Sequence, residues 1–150
     1  MTIMLSNNQK KVHKFLGPEA FTLIELMVAL VIIGILAAIG ISIISTGQKR
    51  AYDAIAKHDL QSFAKSEEMY FMDNNQFIGN LGQITRNDGG TSDFVLSDFT
   101  PSKGISITII SGDAFNPYDP TNPYIAQAVH IGNSGNKFEY NFGTKKISKK

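Results

Sequence analysis

A single carboxylate interrupts an apolar stretch near the front of this chain. Glu25 sits between Phe21-Thr22-Leu23-Ile24 and the run Leu26 to Ile44 (LMVALVIIGILAAIGISII), and no charged residue occurs from Leu26 to Gln48. An ionised carboxylate at the centre of a bilayer costs about 2.5 to 3.5 kcal/mol on insertion scales, so even near the edge it needs a reason. One reason is local. Thr22 and Glu25 have the Thr-x-x-Glu spacing of a capping box, in which each side chain satisfies a backbone N–H of the other at a helix start. A second constellation is Ser111 to Pro123 (SGDAFNPYDPTNP), where Asp113, Asn116, Asp119 and Asn122 supply the carboxylate and amide oxygens that calcium takes. The same residues between prolines are ordinary turn formers, and a solvated turn is the plain reading. His13, His58 and His130 show neither metal-ligand spacing nor a Ser/His/Asp arrangement. No catalytic set emerges, so the chain reads as a non-enzyme without a cofactor, calcium at Asp113 and Asp119 being the weak exception.

The elements that would position these groups follow from periodicity. As a helix the 19 residues Leu26 to Ile44 extend about 30 Å, the thickness of a bilayer hydrocarbon core. The run is longer than the apolar core of a secretory signal peptide and lacks a clear cleavage site of that kind. A plain single-span anchor fits its length but leaves Glu25 unexplained. Lys10, Lys11 and Lys14 on one flank and Lys49 and Arg50 on the other nearly balance, so charge does not orient the span. From Gln48 to about Asn74 the residues Tyr52, Ile55, Ala56, Leu60, Phe63, Tyr70 and Phe71 recur mostly three or four apart, with Lys49, Asp53, Lys57, Lys65 and Glu68 mainly between them. The helix therefore continues as an amphipathic one whose stripe packs on the chain's own sheet, until Asn74-Asn75 and Gly79 stop it. Residues 76–104 read as a polar connecting loop with at most short structure around Phe94 to Leu96. Alternation then marks strands at Ile105 to Ile109, Ile125 to Val129 and Phe138 to Phe142, with a short edge at Lys145 to Ser148. The expected fold is α+β, a long N-terminal helix packed on a C-terminal antiparallel sheet.

Composition sets outer bounds. With 43% apolar and 18% charged residues the chain is ordinary globular material rather than disordered, and a net charge of +1 gives no reason to expect nucleic acid. The front is basic, with Lys10, Lys11 and Lys14 against Glu19, and the remainder is nearly neutral. There is no cysteine, hence no disulfide and no thiolate metal site, so packing must hold the C-terminal part.

The string Phe21-Thr22-Leu23-Ile24-Glu25-Leu26-Met27-Val28, continuing through Ile32-Ile33-Gly34-Ile35-Leu36-Ala37-Ala38-Ile39, closely resembles the N-terminal signature of type IV pilins and pseudopilins. The resemblance is specific over residues 15 to 45 and topological beyond, since helix first and sheet second is the type IV pilin order. It implies that residues 1–20 are a prepilin leader, cut between Ala20 and Phe21 on the cytoplasmic side by a membrane prepilin peptidase that also N-methylates Phe21. It implies too that 21–47 form the hydrophobic transmembrane and assembly helix, with 48–75 its amphipathic continuation and 105–150 the sheet. The family usually has glycine before the cut and here Ala20 stands there; cutting at Gly17 instead would leave Pro18 as the terminus and move Glu25 three residues further in. Ser42 occupies the place where many relatives carry a kinking proline. Major pseudopilins bind calcium in a C-terminal loop, but the carboxylate spacing here does not match. Some slender pilins are discussed as electron conduits; Ile44 and Gly47 stand where those place aromatics, and packing accounts for Tyr52, Phe63, Tyr70 and Phe71.

The physical chemistry of the cut agrees with the family's pattern. It creates an α-ammonium on Phe21, and Glu25 is the nearby opposite charge, so the ammonium of one subunit could meet the carboxylate of a neighbour. At about 4 Å and an effective dielectric near 20 that attraction is about 4 kcal/mol, partly cancelled by desolvation. Capping and pairing are both open, and both can hold, since a carboxylate also suits a helix N-terminus. The expectation is a structural subunit of a type IV pilus, a homo-oligomeric helical filament in which Phe21 and Glu25 govern assembly, with roles in adhesion, twitching or DNA uptake. The alternative is a major pseudopilin of a type II secretion system; a monomeric membrane-anchored binding or enzymatic domain is a third. Expected partners are the prepilin peptidase, the inner-membrane assembly platform and the membrane itself. The chain would cross the inner membrane once before assembly and end in an extracellular pilus or a periplasmic pseudopilus.

Overall fold

The computed structural model describes residues 21–133 and 135–150, so residues 1–20, the expected leader with Ala20 and His13, lie outside the described residues. The chain divides into two compact units between Ile41 and Ser42. Helix α1, Leu23–Asn74, contributes to both.

In the first unit the described residues, from Phe21 to Ile41, are exposed apart from half-buried Gly40. An 18-residue window of this helix has a mean hydropathy of 3.0 and buries none of its side chains within the chain. A helix apolar all round in this way is long and apolar enough to cross a membrane, and in water it would expose its whole surface.

In the second unit the back part of α1 is half wet. Ala56, Leu60, Phe63 and Ala64 are buried, the i, i+4, i+7, i+8 stripe that the periodicity predicts. The helix ends where Asn75 takes φ of 55° and donates its N–H to the Phe71 carbonyl at 2.8 Å. That left-handed residue after the last turn is the common way to satisfy an orphan carbonyl, and asparagine is one of the few side chains that tolerates it.

Five strands follow: β1 Ile84–Arg86, β2 Ile105–Ser111, β3 Ile125–His130, β4 Lys137–Asn141 and β5 Lys146–Lys149. They form one sheet in the order β1-β2-β3-β4-β5, each antiparallel to the next. The α+β arrangement read from the sequence is the one observed, and it is consistent with the type IV pilin fold. On β2 the buried face is Ile105, Ile107 and Ile109; on β3 it is Ala126, Ala128 and His130, while Ile125, Gln127 and Val129 are half-exposed. Phe138 and Phe142 complete the face in the same buried cluster as Leu60 and Phe63. Burying a Phe or Leu side chain is worth about 1.5 to 3 kcal/mol, so this cluster holds the domain without any disulfide.

Segment 76–104, read as a connecting loop, holds β1. Ile84↔Thr108 and Arg86↔Ser106 pair it to β2, and Leu96 forms an isolated bridge with Phe99. Three residues between turn formers carry too little alternation to announce a strand. The segment is also less polar in effect than in composition, because Phe77, Phe94, Leu96 and Phe99 are all buried. Phe77 packs against Phe142 at 4.7 Å and Tyr124 at 4.8 Å between ring centroids, and Phe99 against Phe63 at 5.6 Å. β2 is followed by Gly112, with φ of 99°, where a Cβ would collide with the Tyr124 backbone.

Candidate functional site

The start of α1 is closed by Thr22 and Glu25. The Thr22 N–H and Oγ1 each donate to Glu25 Oε2 at 2.8 Å, and the Glu25 N–H donates to Thr22 Oγ1 at 3.3 Å. Leu26 N–H donates to the Thr22 carbonyl at 3.3 Å, the first bond of the helical ladder. The reciprocal capping box is thus formed within one chain. It uses Oε2 alone, so the second carboxylate oxygen is not engaged by the box. Phe21 precedes it at 89% exposure, next to a helix apolar on every side. The expected pairing of a Phe21 ammonium with Glu25 would need a second copy of the chain and a cut after Ala20, which lies outside the described residues. Thr22, which the box makes a partner of Glu25, was already legible in the spacing.

The oxygen-rich loop does not converge on a point. Asp113 Oδ1 accepts the N–H of Phe115 at 3.0 Å, and Asp119 Oδ1 accepts both the N–H and the hydroxyl of Thr121 at 2.8 and 2.7 Å. Those Thr121 bonds hold the Asp119 carboxyl below the usual range. Asn122 Oδ1 accepts the Ser111 hydroxyl at 3.3 Å. Each carboxylate closes its own turn, and no group of three or more His, Cys, Asp or Glu is placed to hold a metal among the described residues. His58 lies on the wet side of α1, 3.4 Å from Asp59. His130 stacks on Tyr52, ring centroids 4.1 Å apart, and its Nδ1 accepts the Gly132 N–H at 2.9 Å. Phe63 and Phe71 are spent on neighbouring rings of the core.

Two carboxylates escaped the reading of the sequence. Glu67 is 0% exposed; its Oε2 accepts the Ile78 N–H at 2.9 Å while Oε1 has no hydrogen-bond partner among the described residues. Burial pushes its carboxyl up to about 7, against the pull of the backbone N–H groups of Ile78 and Gly79. Asp59, also buried, accepts the Ser102 N–H at 2.5 Å and its hydroxyl at 2.9 Å. Both tie segment 76–104 to the helix. A signal existed, because Leu60, Phe63, Ala64, Glu67 and Phe71 share one helical stripe, where a carboxylate must be either solvated or bonded. At the rim, Lys145 pairs with Glu68 at 3.0 Å, which raises the lysine, and Lys57 lies 4.8 Å over the Phe138 ring.

Comparison with known proteins bears on the helix start. Residues 19–41 match the family model described as the prokaryotic N-terminal methylation motif. The chain is 42% identical over 66 residues to the type IV wide pilus major component PilA4 of Thermus thermophilus, covering 44% of this chain and 50% of that protein. It is 43% identical over 56 residues to the type II secretion system core protein G of Pseudomonas aeruginosa, covering 37% and 39% respectively. The chain thus spans half or less of the length of these curated relatives. It carries the prokaryotic N-terminal methylation motif and is homologous to a type IV pilin and to a type II secretion pseudopilin, as the resemblance at Phe21 to Ile39 implied.

Proposed function

We propose that this chain is a structural filament subunit of a type IV pilus, cut between Ala20 and Phe21, methylated at Phe21, and polymerised through its front helix. The observation that carries the reading is a helix exposed and apolar on every side, begun by one carboxylate, inside the methylation motif. Lipid takes that surface before assembly and neighbouring helices take it afterwards. Lipid competes well for apolar helices, so packing alone gives association little driving force. Glu25 supplies register: its free carboxylate oxygen meets the Phe21 ammonium of the next copy. The prepilin peptidase and the inner-membrane platform are the partners this route requires, and the work is mechanical, with no catalysis and no cofactor.

Intact mass of the purified subunit tests the route. The expected chain begins at Phe21 with one added methyl group; a chain that keeps Met1, or begins at Pro18, refutes it. The identity to the type II secretion core protein G favours a second reading, a periplasmic pseudopilus. Electron microscopy of sheared cell-surface material, with the subunit identified by mass, separates them: long fibres at native expression mean a pilus, and their absence a pseudopilus.

A further inference from the structure

The second unit has two ends that complement each other. At one end of the sheet a groove of about 790 Å³, mostly apolar, lies between Tyr52 and Ile55 of α1, Lys103 and Gly104 before β2, His130 at the end of β3 and Ile131 just after it. Ile131 is 66% exposed there. The register Ile105↔His130 puts these strand ends side by side. At the other end the loop between β2 and β3 carries Phe115, 71% exposed, between Asp113 and Asp119. This loop is held at the level of the helix end, since Tyr118 packs on Phe71 at 5.6 Å and Phe77 N–H donates to the Ala114 carbonyl at 2.8 Å.

Charge follows the same division. Lys103 is exposed at the groove and makes no ion pair among the described residues, and Lys49 and Arg50 begin the wet part of the helix close by, where Asn133 reaches the Lys49 carbonyl at 3.4 Å. The Asp88 that also lines the groove is already taken by Arg86, at 2.7 Å on each of two bonds. Asp53 is occupied by Asn133 and Asn136, both at 2.7 Å. At the loop end the unpaired charge is acidic: Asp113 and Asp119 flank Phe115 without an ion pair among the described residues, Asp73 stands in the last turn of α1, and Lys145 nearby is already paired with Glu68 at 3.0 Å.

We propose that the groove is a docking site for a second copy of this chain, which inserts Phe115 beside Tyr52 and Ile131 and sets Asp113 and Asp119 against Lys103. An apolar knob rimmed by carboxylates then meets an apolar groove rimmed by a cation, the pairing of hot spot and rim that stable interfaces use. Knob and groove sit at opposite ends of one sheet, so no chain can fill its own groove. The contact is heterologous, the class that runs on as an open helical filament when the rotation between copies does not close a ring, and the filament reading takes it in that open form. The helical rise from Tyr52 to Phe71 sets the axial offset of the contacting copies at roughly 30 Å. This deepens the filament reading and rests on it.

The absence of native cysteine makes the test clean. Asn116→Cys and Ile131→Cys are introduced together into the full chain, which is oxidised on cells and run on a non-reducing gel. The double variant should give a ladder of dimers, trimers and longer chains, and each single variant dimers at most. Adding Lys103→Glu should cut the ladder by about fivefold, the scale of an exposed ion pair, and adding Asp113→Lys to that should restore it. Filaments that form under the microscope but yield no ladder overturn this contact and leave the filament reading standing. So does a reversed charge pair that does no better than Lys103→Glu alone. A parent chain that forms neither filament nor pseudopilus overturns the filament reading, and this contact with it.

Discussion

Replacing Glu67 by glutamine removes a fully buried carboxyl while keeping a carbonyl oxygen for the Ile78 N–H. In the folded chain this carboxyl titrates at about 7, against 4.5 for an ordinary glutamate, because burial penalises its charged form. Between these values the folded state holds a proton that the unfolded state has released. The unfolded state binds fewer protons there, so stability falls as pH rises from 4.5 to about 7 and is level beyond. The displacement corresponds to about 3 kcal/mol, or about 10 °C in Tm for a domain of this size. Neighbouring Tyr124 is held neutral too: burial, and then the nearby Glu67 once charged, push its hydroxyl well above the usual range, and it donates to the Gly79 carbonyl at 2.6 Å. Thermal unfolding of the detergent-solubilised chain, followed by near-ultraviolet circular dichroism from pH 4 to 9, reads the effect. The curve of Glu67→Gln minus parent should rise through the window by about 3 kcal/mol and then flatten. Parallel curves, with a constant difference at every pH, would show that Glu67 is already solvated and that the reasoning fails.

Other outcomes follow from the same geometry. Glu25→Ala should leave a stable, membrane-resident subunit with few or no filaments, counted by electron microscopy against subunit level in the membrane fraction. Glu25→Gln keeps an oxygen for the Thr22 box and loses the charge, so it should also fail to assemble; normal assembly would make capping the whole role of Glu25. Phe63→Ala empties a fully buried site between Phe94 and Phe99 and should cost about 3 to 5 kcal/mol, seen as a lower denaturant midpoint; an unchanged midpoint contradicts the packing.

Local patterning made much of this protein legible in its residues. Thr22 and Glu25 at a three-residue spacing, the uncharged run after them, the stripe from Ala56 to Phe71 and the alternating isoleucines of β2 each state a property of one element. Such elements obey a period of 3.6 or 2, and a period survives in a linear string. What tertiary structure alone decided concerns partners far apart in the chain. β1 exists because β2 offers it an edge, and its three residues have no pattern of their own. Glu67 and Asp59 are buried because segment 76–104 folds over them, and only that fold turns two stripe carboxylates into anchors for Ile78 and Ser102. On β3 both faces carry apolar residues, and the core took the smaller ones, Ala126 and Ala128, leaving Ile125 and Val129 half-exposed beside Gln127. The groove beside Tyr52 and the exposed Phe115 came to opposite ends of one sheet through strand register. Burial, and with it the cost of charge and the value of a contact, is a property of the assembled neighbourhood; no single segment carries it in its own order of residues.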